Sequence, residues 1–175
     1  MQADILIVDN DGRIVELVAW FLRKRGYRVR AASDFALARR CIAERTPDLM
    51  LSDLDLGQQN ALEELPAMEA EGCLPPTLVV SGYLDQAARD SLQQVRAVLG
   101  TLAKPFDFPV LEQRVAECLA QVASDPGCVA PPPGGGAPQG EYVDPIEDEQ
   151  GWIEITPGRP SVSTSAPPDP LRGTR

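Results

Sequence analysis

The chain has 175 residues and a net charge of −10, from 16 basic and 26 acidic side chains, and it contains no histidine. An acidic chain without a basic block is unsuited to nucleic acid, whose phosphates demand clustered Lys and Arg. No apolar run approaches the roughly 20 residues of a membrane span, and the N-terminus lacks the basic region and apolar core of a signal peptide. A cytoplasmic protein with no nucleic-acid or membrane partner is expected.

The elements follow in chain order. Residues 3–8 form a short apolar run, rich in branched side chains, that ends in Asp9-Asn10-Asp11-Gly12. Ile14, Leu17, Val18 and Phe21 then repeat at helical spacing until Gly26 stops the helix. Residues 28–32 read as a strand. Ser33 or Asp34 can cap a helix that runs to about Arg45, with Phe35, Ala38 and Ile42 facing inward. A third strand covers 47–52. A loop through Gly57 leads to a helix over about 60–70, which Pro66 can bend or shorten. Residues 77–80 are a buried strand, 85–96 a helix and 97–103 a strand. The last helix spans 107–122, with Val110, Leu111, Val115 and Leu119 on one face. Cys41, Cys73, Cys118 and Cys128 have no CxxC spacing, so free thiols are expected.

Five strands alternate with five helices, and continuous apolar strands suit a parallel sheet covered on both faces. Functional groups in such sheets gather at the carboxyl ends of the strands. Here the first strand ends in Asp9-Asn10-Asp11, the third in Ser52-Asp53, the fourth in Ser81-Gly82 and the fifth in Lys104-Pro105. Three acidic groups gathered near one point beside an Asn repel one another through their like charges, and hard oxygen ligands favour relief by Mg²⁺. An aspartate beside Mg²⁺, a lysine and a hydroxyl is placed to attack phosphorus and form an acyl phosphate.

The motifs ILIVDND, PDLMLSDLDLG, LVVSGY and LAKPF, in that order and spacing, resemble the receiver domain of two-component response regulators over residues 3 to about 122. The resemblance implies a flavodoxin-like doubly wound five-stranded sheet, order 2-1-3-4-5. It implies Asp53 as phosphoacceptor, and Mg²⁺ held by Asp9, Asn10, Asp53 and the backbone carbonyl of Asp55. Ser81 matches the switch hydroxyl, and Lys104 before a cis Pro105 matches the phosphate-binding lysine. Partners would be a histidine kinase or phosphotransfer protein and an unknown output protein. A weak homodimer through the face of the fourth and fifth helices also belongs to this pattern. The protein would be no enzyme beyond its own phosphorylation and dephosphorylation.

Several positions depart from the pattern. Asn10 replaces the second acid of the metal pair and brings no charge. Asp11 can compensate as a ligand or cap the first helix. Thr101 stands where many receivers carry a Tyr or Phe that rotates inward on activation. Ala61 and Gly57 stand where Gly and Pro are common. Asp55 and Tyr83 occupy positions that influence how fast the phosphoryl group is lost. A phosphorylation-independent scaffold of the same fold is the alternative. A haloacid-dehalogenase-like phosphatase is disfavoured, because Asp53-Leu54-Asp55-Leu56-Gly57 follows the third strand and not the first.

Residues 1–123 are expected to be the receiver, with 6 Pro and 6 Gly. Residues 124–175, with 11 Pro and 8 Gly, are expected to be a disordered acidic tail. Within the tail, 130–140 reads as a flexible linker and 141–156 as a candidate binding segment. A stand-alone receiver is the expectation.

Overall fold

In the computed structural model, which describes residues 2–124, strands and helices alternate along the chain. The strands are β1 (Asp4–Val8), β2 (Arg28–Ala32), β3 (Leu49–Asp53), β4 (Thr77–Ser81) and β5 (Val98–Ala103). They form one parallel sheet in the order β2-β1-β3-β4-β5, as the resemblance implied. The helices are α1 (Gly12–Lys24), α2 (Phe35–Glu44), α3 (Ala61–Ala70), α4 (Gln86–Gln93) and α5 (Phe108–Ser124). None of these helices is long and apolar enough to cross a membrane. The predicted linker over 130–140, the segment over 141–156 and Cys128 lie outside the described residues.

Helices cover both sheet faces, which explains the unbroken apolar strands. Ile5 and Ile7 pack toward α1 and α5, whereas Leu6 and Val8 pack toward α2, α3 and α4. The ring of Phe21 on α1 stacks on Phe108 of α5 at 4.7 Å. Cys41 and Cys118 are buried free thiols and Cys73 a half-buried one. Burial holds all three in the protonated form by raising their pKa.

Side-chain caps set the helix starts. Carboxylates of Asp11, Asp34 and Asp85 and the amide oxygen of Asn60 accept from Arg13, Leu37, Ala88 and Leu62 N–H groups respectively. These amides belong to first turns, where the helix itself offers no acceptor. Of the two roles open to Asp11, the cap is the one it takes, and Asp34 rather than Ser33 caps α2. Gly26, at φ +88°, turns the chain out of α1. Pro66 lies inside α3 without ending it before Ala70.

Three expectations fail. Leu17 is exposed, at 53%, because α1 buries Val15, Val18, Ala19 and Leu22, and Leu17 lies on the flank of that stripe with exposed Trp20. Val110 is 44% exposed because α5 buries Leu111, Val115 and Cys118, one position round the helix. The fourth helix ends at Gln93, short of residue 96. There the Val95 N–H bonds to the Leu92 carbonyl, and the chain turns inward to bury Val95 and Ala97.

A polar cluster holds the opposite pole of the sheet. Arg30 donates to both oxygens of Asp4, which is 1% exposed, and to the carbonyls of Cys41 and Arg45 at the end of α2. One guanidinium thereby pairs a buried carboxylate and ties β2 to the end of α2 through the Arg45 carbonyl and the Cys41 carbonyl, which also accepts the Arg45 N–H.

Candidate functional site

Strand register builds the site. Val8 is level with Ser52, so the next residues, Asp9 and Asp53, stand side by side at the carboxyl edge. Ser81 is level with Ala103, which places Lys104 just beyond the same edge. The Lys104 N–H bonds to the Ser81 carbonyl at 2.7 Å, and the Lys104-Pro105 bond is cis, as expected.

Lys104 Nζ donates to Asp9 Oδ2 at 2.8 Å and to Asp53 Oδ2 at 3.0 Å. The other carboxylate oxygens accept backbone amides, Asp9 Oδ1 from Asp11 and Asp53 Oδ1 from Leu54. Burial pulls the Lys104 pKa down, but the hydrogen bonds and charges of Asp9 and Asp53 outweigh it, and the net shift is upward. Lys104 is therefore a fixed cation. Beneath it lies a cavity of about 20 Å³, floored by Ile14, Val18, Val80, Phe106 and Leu111. This apolar floor lowers the local dielectric and strengthens the attraction of the ammonium for the two carboxylates.

The remaining candidates are placed differently. Asn10 is exposed, and its Nδ2 faces Gly57, where a Cβ would lie 3.6 Å away. Asp55 is in a non-hydrogen-bonded bridge with Asn60, and its carboxylate accepts from the Gly57 N–H. Among the described residues no donor bonds the Asp55 carbonyl. The Ser81 hydroxyl donates to the Tyr83 carbonyl at 2.7 Å and accepts the Tyr83 N–H at 3.1 Å, so it is turned to its own loop and not to Asp53. Thr101 is level with Val79 inside β5, and its carbonyl accepts from Arg114 of α5.

The expected convergence of three acids is corrected. Among the described residues no three carboxylates or thiols form a group able to hold a metal, and Asp11 turns one carboxylate oxygen to the cap of α1. Two carboxylates, Asp9 and Asp53, meet at Lys104. Beside this pair, the neutral oxygens that would complete a protein ligand set are the Asp55 carbonyl and the Asn10 amide oxygen. An all-oxygen set of this kind fits Mg²⁺, which keeps several waters and takes only one or two carboxylates.

A model of the response regulator receiver domain matches residues 5–116. The chain belongs to this family. The chain is 31% identical over 120 residues to the transcriptional regulatory protein ZraR of Klebsiella oxytoca, covering 68% of this chain and 27% of that protein. It is 30% identical over 136 residues to the response regulator MprA of Mycobacterium sp. (strain KMS), covering 75% and 56%. The chain thus spans about a quarter to just over half of the length of these relatives. Its fold matches a CheY-like receiver domain from Methanospirillum hungatei JF-1 with a TM-score of 0.64 at 23% identity, over 71% of this chain and 98% of that one. Membership places the chain in two-component signalling, in a family whose members bind Mg²⁺ at the phosphorylation site.

One contributor escaped sequence reading. Gln59 reads as an ordinary polar loop residue, yet its Oε1 accepts the N–H of Phe35, 24 residues away. No periodicity or motif marks such a bond.

Proposed function

We propose that Asp53 accepts a phosphoryl group from a phosphohistidine on a histidine kinase or phosphotransfer protein. The observation that carries this reading is the Lys104 ammonium held between Asp9 and Asp53. An Asp53 carboxylate oxygen attacks phosphorus, the P–N bond to the donor imidazole breaks, and an acyl phosphate forms. Lys104 offsets negative charge gathering on the phosphoryl oxygens. The Ser81 hydroxyl leaves the Tyr83 carbonyl and donates to one of those oxygens. Water attack on phosphorus later regenerates the carboxylate. Asp9, Asn10, Asp53 and the Asp55 carbonyl would hold Mg²⁺, which supplies positive charge to the transferring group.

Thr101 cannot act as an aromatic switch, so the change at Ser81 reaches the surface through the Tyr83 loop. Output is by protein contact through α4, β5 and α5, where weak self-association also belongs. The test is incubation with acetyl phosphate and Mg²⁺, read by intact mass. A gain of one phosphoryl group is expected for the wild type and none for Asp53→Asn. No gain at saturating donor would support a phosphorylation-independent scaffold.

Asn10 brings no charge to the metal, so Asn10→Asp is expected to tighten Mg²⁺ binding about tenfold, worth about 1.4 kcal/mol. Equal Mg²⁺ affinities in a calorimetric titration of the two proteins would reject that assignment.

A further inference from the structure

We propose that Gln59 is a positioning residue that sets the Asp55 carbonyl for the metal, an inference that rests on the Mg²⁺ reading above. Asp55 sits in a short clamp. The carbonyl before it, on Leu54, accepts the Ala61 N–H at 2.9 Å, and the amide after it, on Leu56, donates to the Gln59 carbonyl at 2.9 Å. This pairing makes Asp55 and Asn60 a non-hydrogen-bonded bridge and leaves the Asp55 carbonyl unspent among the described residues. The backbone of Gln59 is therefore one jaw of the clamp.

The Gln59 side chain fixes that jaw to the core. Its Oε1 accepts the Phe35 N–H at 3.0 Å. Phe35 opens α2 and is fully buried, so its amide anchors the bond in the core. The amide is also one that the helix itself leaves without an acceptor, since Asp34 caps Leu37 instead. Leu54 and Leu56 bury the loop from below, but burial is non-directional and does not set where a carbonyl points. The Gln59 bond is directional, and it ties the loop carrying Asp55 to a different helix. Outer partners that orient a ligand in this way typically change metal affinity by roughly 10–100-fold when removed.

The test is an NMR titration of the full chain with MgCl₂ alone. Gln59→Met, which keeps length and loses the acceptor, is expected to weaken Mg²⁺ binding about tenfold. Gln59→Glu, which restores an acceptor for the Phe35 N–H, is expected to recover wild-type affinity or better. Asp34→Ala removes the other cap of α2 and should lower the unfolding temperature while leaving Mg²⁺ affinity within about twofold. The proposal is overturned if Gln59→Met binds like the wild type, if Gln59→Glu fails to recover, or if Asp34→Ala weakens binding as much as Gln59→Met. A wild type that shows no saturable Mg²⁺ binding removes the metal reading itself, and the role of Gln59 with it.

Discussion

Replacing Lys104 with methionine is expected to slow phosphorylation by acetyl phosphate about 100-fold or more. Methionine keeps an apolar stem at the cavity that Lys104 and Phe106 both line but removes the charge. A preorganised donor aimed at developing negative charge contributes roughly 10²–10³ in rate when the site excludes water, and here Nζ already lies 3.0 Å from Asp53 Oδ2. A rate within about threefold of the wild type would remove Lys104 from the chemistry. Stability should fall too, by about 2 kcal/mol in Mg²⁺-free urea unfolding, because two adjacent carboxylates lose their shared cation. Breaking a fully buried pair costs roughly 3–5 kcal/mol; these side chains retain some exposure, at 17%, 6% and 15%, so the smaller figure applies. The pH dependence has a definite sign. Lys104 is raised in the fold, so its contribution is complete below the ordinary lysine value of about 10.4 and is lost as pH climbs through the higher folded value. The gap between variant and wild type should therefore be constant from about pH 6 to 9 and close only in strong alkali.

Asp4→Ala is expected to be the most destabilising of these changes, by roughly 3–5 kcal/mol. Asp4 is 1% exposed and takes both its oxygens to Arg30, with Arg45 Nε 3.5 Å away. Without the carboxylate, the Arg30 guanidinium keeps two carbonyls but no counter-charge. The double change Asp4→Leu with Arg30→Met should recover much of the loss, since an apolar pair of similar volume carries no desolvation cost. Denaturant unfolding of the wild type, Asp4→Leu, Arg30→Met and the double variant completes the cycle. Additive losses would mean that the two residues do not act as a pair. Phosphorylation should survive in any folded variant, because this cluster occupies the amino end of the strands and the Asp53 site the carboxyl end.

The sheet order and the residues at its carboxyl edge were legible in the sequence because parallel strands announce themselves as apolar runs, and their polar terminators fall on one edge. Asp9, Asp53, Ser81 and Lys104 were found in that way. Register then did what sequence could not show, setting Asp9 beside Asp53 through the pairing of Val8 with Ser52. Side-chain direction was less legible. Leu17 and Val110 fit an apolar spacing yet lie on helix flanks, because α1 and α5 carry more apolar residues than their faces can bury. Asp11 had two local roles open, and capping prevailed because the Arg13 amide lies within its reach. Gln59 and Arg30 were invisible for a common reason. Each bonds across many residues of sequence to a backbone group, and a backbone group leaves no signature in composition.

The ammonium that joins Asp9 to Asp53 reaches across 95 and 51 residues of chain. No contiguous fragment short of nearly the whole sheet can hold these three groups together. A chain still emerging from the ribosome has no such centre until β5 has docked at the edge of the sheet. If Asp53 accepts phosphate as proposed, its reactivity is also a report on complete folding, and the yield of acyl phosphate along a urea titration should track loss of the fold as closely as circular dichroism does.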